Sequence, residues 1–100
     1  MPLAVSIDSD SVELRMQVVG ELDLATAPSL ERCFGDLRTD GTSLCLDLTR
    51  VSFLDLSGLR VLLDAQRNAH AHDKQLRVVA GEAVRRLCEL TETTRLLDLR

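Results

Sequence analysis

The segment "FLDLSGL", Phe53 to Leu59, sets a single hydroxyl, Ser57, two residues after an acid, Asp55, and directly before a glycine, Gly58, between large apolar side chains. Such a serine can serve as a turn residue, a helix cap, a nucleophile or a phosphate acceptor. A nucleophile needs a base, and the sequence supplies little material for one. Its two histidines, His70 and His72, stand near the polar end of a predicted helix, at a spacing that fits neither an i, i+4 zinc pair nor a triad partner. "DLSG" lacks the leading glycine of a G-x-S-x-G elbow, and no Gly-rich phosphate loop occurs. Cys33, Cys45 and Cys88 are odd in number and widely spaced, each at an apolar periodic position, which favours small buried hydrophobes over a disulfide framework or metal site. The expectation is therefore no enzyme, no cofactor and no metal.

The hydroxyl has to be positioned by the elements around it. Val12, Leu14, Met16 and Val18 alternate with Glu13, Arg15 and Gln17, the period of a strand with one buried face. "LAVSI" reads as a weaker strand before it, and "DSDS" between them as a turn, so a hairpin opens the fold. Thr26 is the expected N-cap of a helix with Pro28 in its first turn, and Leu30, Cys33, Phe34 and Leu37 form its apolar stripe. "TDGT" is a turn; "SLCLDLT" is a short strand with Leu44, Leu46 and Leu48 on one face. From Gly58 the period changes to that of a helix, with Leu59, Leu62, Leu63 and Ala69 on one side and Arg60, Asp64 and Arg67 on the other. "LRVVA" is the next strand, Val84, Leu87, Cys88 and Thr91 mark another helix, and "RLLDLR" is a last short strand or a frayed turn. The stretch from Ser43 to Ala80 is long enough for a parallel crossover, which predicts a mixed sheet with an antiparallel opening and a parallel middle.

Ser57 then falls where a strand-to-helix loop meets the first turn of an amphipathic helix. As an N-cap it would contribute about 0.5–2 kcal/mol relative to alanine. The same place suits a phosphate, because unpaired N–H groups and the positive end of the helix dipole favour an anion. A phosphate would bring about −1.5 to −2 charges to a surface that otherwise offers a neutral hydroxyl between leucines.

Composition limits the partners. One hundred residues fit a single domain, 1–100, and the net charge of −4 with only two aromatic residues, Phe34 and Phe53, disfavours nucleic acid, which wants a basic surface and stacking platforms. No stretch approaches the roughly 20 apolar residues of a membrane span and no basic, then apolar, leader opens the chain, so a cytoplasmic protein with no membrane partner is expected.

Three blocks, "VVGELDLATAP", "LCLDLTRVSFLDLSGLRVLLDAQ" and "LRVVAGEAVRRLCELT", resemble in order and spacing the STAS domain of bacterial anti-sigma-factor antagonists, from about Val12 to about Leu97. The resemblance implies an α/β fold: a STAS-type mixed sheet of four to five strands with amphipathic helices. It also implies partner switching. The unphosphorylated antagonist binds an anti-sigma factor that is also a serine kinase and frees the sigma factor; phosphorylation of the serine before the glycine, here Ser57, blocks binding, and a serine phosphatase resets it. ATP and magnesium would belong to the kinase. Asp23, Asp55, Leu56, Gly58, Leu59 and Arg60 become the expected partner-binding residues, and Asp47 a buried acceptor that organises the loop. Arg60 stands where relatives commonly carry glycine and is expected to tune partner choice. The alternative under the same resemblance is a scaffold subunit of a transporter, lipid-transfer or stress-sensing complex in which the serine is structural. Relatives also tend to have glycine in the segments matching "HAHDKQ" and "LTETT", and many continue beyond the equivalent of Arg100 into a final helix. Without that helix, Leu96, Leu97 and Leu99 are expected to leave an exposed apolar edge that could support a weak homodimer.

Overall fold

The computed structural model describes residues 3–9, 13–37 and 43–99. The turns expected at "DSDS" and "TDGT" fall largely or wholly outside them. The elements are β1 (Ala4–Ser9), β2 (Glu13–Leu22), α1 (Ala27–Asp36), β3 (Ser43–Leu54), α2 (Leu56–Ala71), β4 (Leu76–Ala80), α3 (Glu82–Thr91) and α4 (Thr94–Leu97). The four strands lie in the order β1-β2-β3-β4. β1 pairs with β2 antiparallel, and β2–β3 and β3–β4 are parallel, as the sequence pattern predicts.

Register explains the core. Met16 lies beside Leu46, and Leu46 beside Val78, so one face of the sheet carries Met16, Val18, Leu44, Leu46, Leu48, Leu76, Val78 and Ala80. These join Leu30 of α1, Leu59 and Leu62 of α2, Val84 and Cys88 of α3 and Leu97 of α4 in one apolar cluster. Burying each such side chain is worth about 1.5–3 kcal/mol before the entropy of ordering it is subtracted. The other face is polar: Arg77 reaches Glu13 at 2.8 Å and Arg15 reaches Asp47 at 3.3 Å, with Cys45 buried beneath them.

β3 is longer than the expected "SLCLDLT" and runs on through Phe53 to Leu54. Its second half pairs with Val19–Leu22 after register shifts between Gln17 and Val19 and between Gly20 and Glu21. Gly20 absorbs the irregularity at φ 117°, a conformation that L side chains rarely adopt.

The C-terminal segment is neither a strand nor a frayed turn. It forms the four-residue helix α4, and Leu99 then makes an isolated parallel bridge to Val78. Leu97 is fully buried and Leu99 half-buried, so the expected apolar edge reduces to Leu96, 61% exposed. The physical reason is Gln66, a buried amide on α2 whose Nε2 donates to both Leu76 O (3.1 Å) and Leu97 O (2.9 Å), tying α4 to the sheet. In the segments "HAHDKQ" and "LTETT", where the resemblance leads one to expect glycine, Asp73 (φ 54°) and Glu92 (φ 57°) hold the left-handed conformation themselves. Glu92 caps α3 in this way.

Candidate functional site

Parallel pairing of β2 with β3 decides where the site forms. Leu22 lies beside Leu54, so the two strands end together, and the loop after β2 meets the loop that enters α2. Asp55 joins the two. Its Oδ1 accepts the N–H of Gly58 at 3.0 Å, capping α2, and its Oδ2 accepts the N–H of Leu24 at 3.2 Å, 31 residues away in the chain. Asp55 N–H also donates to Leu22 O at 3.2 Å.

This arrangement corrects the expectation that Ser57 caps the helix. Both residues are of the capping type, but β3 continues to Leu54, so Asp55 takes the cap and Ser57 falls within the first turn, half-buried. With the Gly58 N–H committed to the Asp55 carboxylate, the helix start offers an incoming anion fewer free donors than an uncapped terminus would.

Asp23 acts within its own loop. Its Oδ1 accepts the N–H of Ala25 (3.0 Å) and of Thr26 (3.1 Å). Thr26 stands at the N-cap of α1 but makes no side-chain cap bond. Its hydroxyl instead accepts from Asp23 N–H at 3.0 Å and donates to Glu21 O at 2.7 Å, closing the turn that presents Leu24. Leu24 was not singled out by sequence. It is 75% exposed, and Asp55, which binds its backbone N–H, directly precedes Leu56, 65% exposed. The one local signal is an apolar residue inside a turn closed by Asp23, where burial has no reason to require it.

Two expected contact residues and the expected loop organiser sit elsewhere. Gly58 is buried: a Cβ there would stand 2.6 Å from Leu22 O and 2.7 Å from side-chain atoms of Leu22 and Leu54, so the glycine serves close packing inside the fold rather than clearance for a partner. Leu59 is only 3% exposed and belongs to the core. Asp47 lies in mid-β3 and is bound by Thr49 Oγ1 (2.6 Å), Thr49 N–H (2.9 Å) and Arg15 (3.3 Å), not by the loop around Ser57. Burial raises its carboxyl pKa, but the Thr49 and Arg15 donors outweigh it and hold the group below its ordinary value.

Arg60 points outward, its side chain 85% exposed, with Nε 4.0 Å from Asp64 Oδ2; Arg67 holds the other oxygen of Asp64 at 3.5 Å. Leu56, Arg60, Leu63, Asp64, Arg67 and Thr93 line an open groove of about 410 Å³ that begins one residue from Ser57. Among the described residues no cluster of three or more His, Cys, Asp or Glu side chains is placed to hold a metal ion, and no helix is long and apolar enough to cross a membrane. His72 Nδ1 lies 2.9 Å from Asn68 O, a local helix-end contact. Cys45 and Cys88 are buried and Cys33 half-buried; burial raises the Cys88 thiol pKa.

The sequence profile of the family described as "Mlab, STAS domain" matches residues 5–98. The chain belongs to the STAS-domain family. This STAS domain is 30% identical over 93 residues to an anti-sigma-B factor antagonist of Staphylococcus aureus, a match covering 91% of this chain and 86% of that one. In structure it superposes on an anti-sigma factor antagonist from Mycobacterium paratuberculosis with a TM-score of 0.84 at 30% identity, over 97% of this chain and 84% of that one. The fold is also that of the anti-sigma factor antagonist SpoIIAA in its unphosphorylated form, with a TM-score of 0.68 at 19% identity over 90% and 83% of the two chains. The four-stranded mixed sheet with its helices is thus the STAS fold.

Proposed function

We propose that this STAS domain is an anti-sigma-factor antagonist that works by partner switching. Unphosphorylated, it binds an anti-sigma factor with serine kinase activity, which releases the sigma factor; phosphate on Ser57 blocks that contact, and a serine phosphatase restores it. The observation that carries this reading is the surface at the start of α2: Ser57 lies in the first turn, directly after the exposed Leu56, and Asp55 ties that turn to the loop that carries the exposed Leu24. Two exposed leucines on a rigid backbone suit burial against a protein partner at small entropic cost. A dianionic phosphate among them would have to be desolvated on docking, beside the Asp55 carboxylate, so one modification converts an attractive contact into a repulsive one without refolding the domain. The kinship to anti-sigma factor antagonists over nearly the whole chain supports the same role.

The test is a quantitative pull-down of the cognate anti-sigma kinase with three forms of the chain. Ser57→Ala should bind like the parent and accept no phosphate, Ser57→Asp should bind at least tenfold more weakly, and ATP with the kinase should place one phosphate on Ser57 by mass spectrometry. Parent-like affinity of Ser57→Asp, or phosphate on another residue, overturns the proposal.

A further inference from the structure

Ser57, Arg60, Asp64 and Arg67 follow one another at spacings of three, four and three along α2, which places them on neighbouring turns of one helix side. Helical side chains lean towards the N-terminus, so each covers the turn before its own Cα. An acid therefore pairs best with a base that follows it. Asp64 and Arg67 have that order and meet at 3.5 Å; Arg60 and Asp64 have the reverse order and stand at 4.0 Å. Arg60 is thus a weakly engaged cation one turn after Ser57, and Asp64 keeps a second arginine if Arg60 leaves.

We infer that Arg60 is the internal counter-ion of a phosphate on Ser57, exchanging Asp64 for the phosphate when Ser57 is modified. The inference rests on the reading of Ser57 as a phosphoacceptor. The carboxylate nearest in sequence, Asp55, opposes the new charge and already holds the Gly58 N–H, and Asp23 in the adjoining loop adds a second negative charge. The nearby cation on the same helix side, in the favoured order, is Arg60, whose guanidinium offers a forked set of donors to phosphate oxygens. Modification then changes the surface twice: it adds the phosphate beside Leu56, and it draws Arg60 out of the position it presents to a partner.

The test places phosphoserine at position 57 of the full chain during synthesis and follows the second phosphate ionisation by ³¹P NMR at low salt. A pair of this spacing should lower that pKa by about 0.3 unit relative to Arg60→Gln. Arg60→Lys should retain part of the difference, 0.5 M salt should shrink it, and Arg67→Gln should leave it in place. Equal values for the parent and Arg60→Gln, or an equal response to Arg67→Gln, would overturn the inference. Because the phosphate is installed without a kinase, a flat titration removes the counter-ion alone, whereas parent-like binding by Ser57→Asp removes the switch.

Discussion

Asp47 and Asp55 are two aspartates of one strand-and-loop segment, eight positions apart, and both accept backbone N–H groups. Asp47 spends its bonds on Thr49, two residues on, and on Arg15 of the neighbouring strand, and is 5% exposed. Asp55 spends its bonds on the loop of Leu24 and on the first turn of α2, at the rim, where Leu24 and Leu56 face outward. The first carboxylate fixes the sheet and presents nothing. The second uses the same chemistry to assemble a surface from pieces distant in the chain. The difference predicts which losses act mainly on stability and which act on binding as well.

The largest stability effect should come from Gly58, the point where that surface is pressed against the core. Gly58→Ala sets a methyl 2.6 Å from the Leu22 carbonyl oxygen, where backbone must move, and should cost about 1–3 kcal/mol by overpacking. Urea denaturation would read this as a lower midpoint at unchanged slope; a parent-like midpoint would mean that α2 can shift away from β2 without cost. Asp47→Ala should come next, at about 1–3 kcal/mol, because it removes the ionised acceptor shared by Arg15 and the two donors of Thr49. The pH dependence has a definite sign. The Asp47 pKa is lowered in the folded state, so its contribution is fully present above the unfolded value of 3.8 and is lost as pH falls through the folded value. Asp47→Asn, which retains an oxygen for Thr49, should therefore lose less at pH 7 and show a shallower acid limb below about pH 4 than the parent.

The legible parts of this molecule are those governed by local periodicity. The helical stripes from Leu30 and Val84, the alternation around Met16 and the parallel crossover through α2 all follow from residues within one or two turns of each other. What was not legible depends on distant partners. α4 is too short for a helical period to register, and its place is set by Gln66, 31 residues earlier. β3 runs past Thr49 because Val19–Leu22 pairs with it across a bulge that no local pattern announces. Ser57 and Asp55 are equally good caps on type alone, and only the end of β3 chooses between them. Of the expected contact residues, Leu56 and Arg60 face solvent, whereas Gly58 and Leu59 turn inward because the first turn of α2 packs on Leu22 and Leu54.

Leu24 and Asp55 give the finest test of the contrast, since one would supply contact area and the other its placement. Leu24→Ala removes a side chain that is 75% exposed, so the unfolding midpoint should stay within the ±0.5 kcal/mol typical of surface changes, while affinity for the anti-sigma partner falls several-fold. Asp55→Ala should cost about 0.5–2 kcal/mol through the lost cap and should weaken binding as well, by letting the Leu24 loop drift from Leu56. If Leu24 acts only where Asp55 places it, the binding losses are not additive: the double variant should bind little worse than Asp55→Ala alone. Calorimetric affinities for the four members of this cycle decide the matter. Fully additive losses would mean that the Leu24 loop holds its position without Asp55, through the Asp23 and Thr26 bonds that close it.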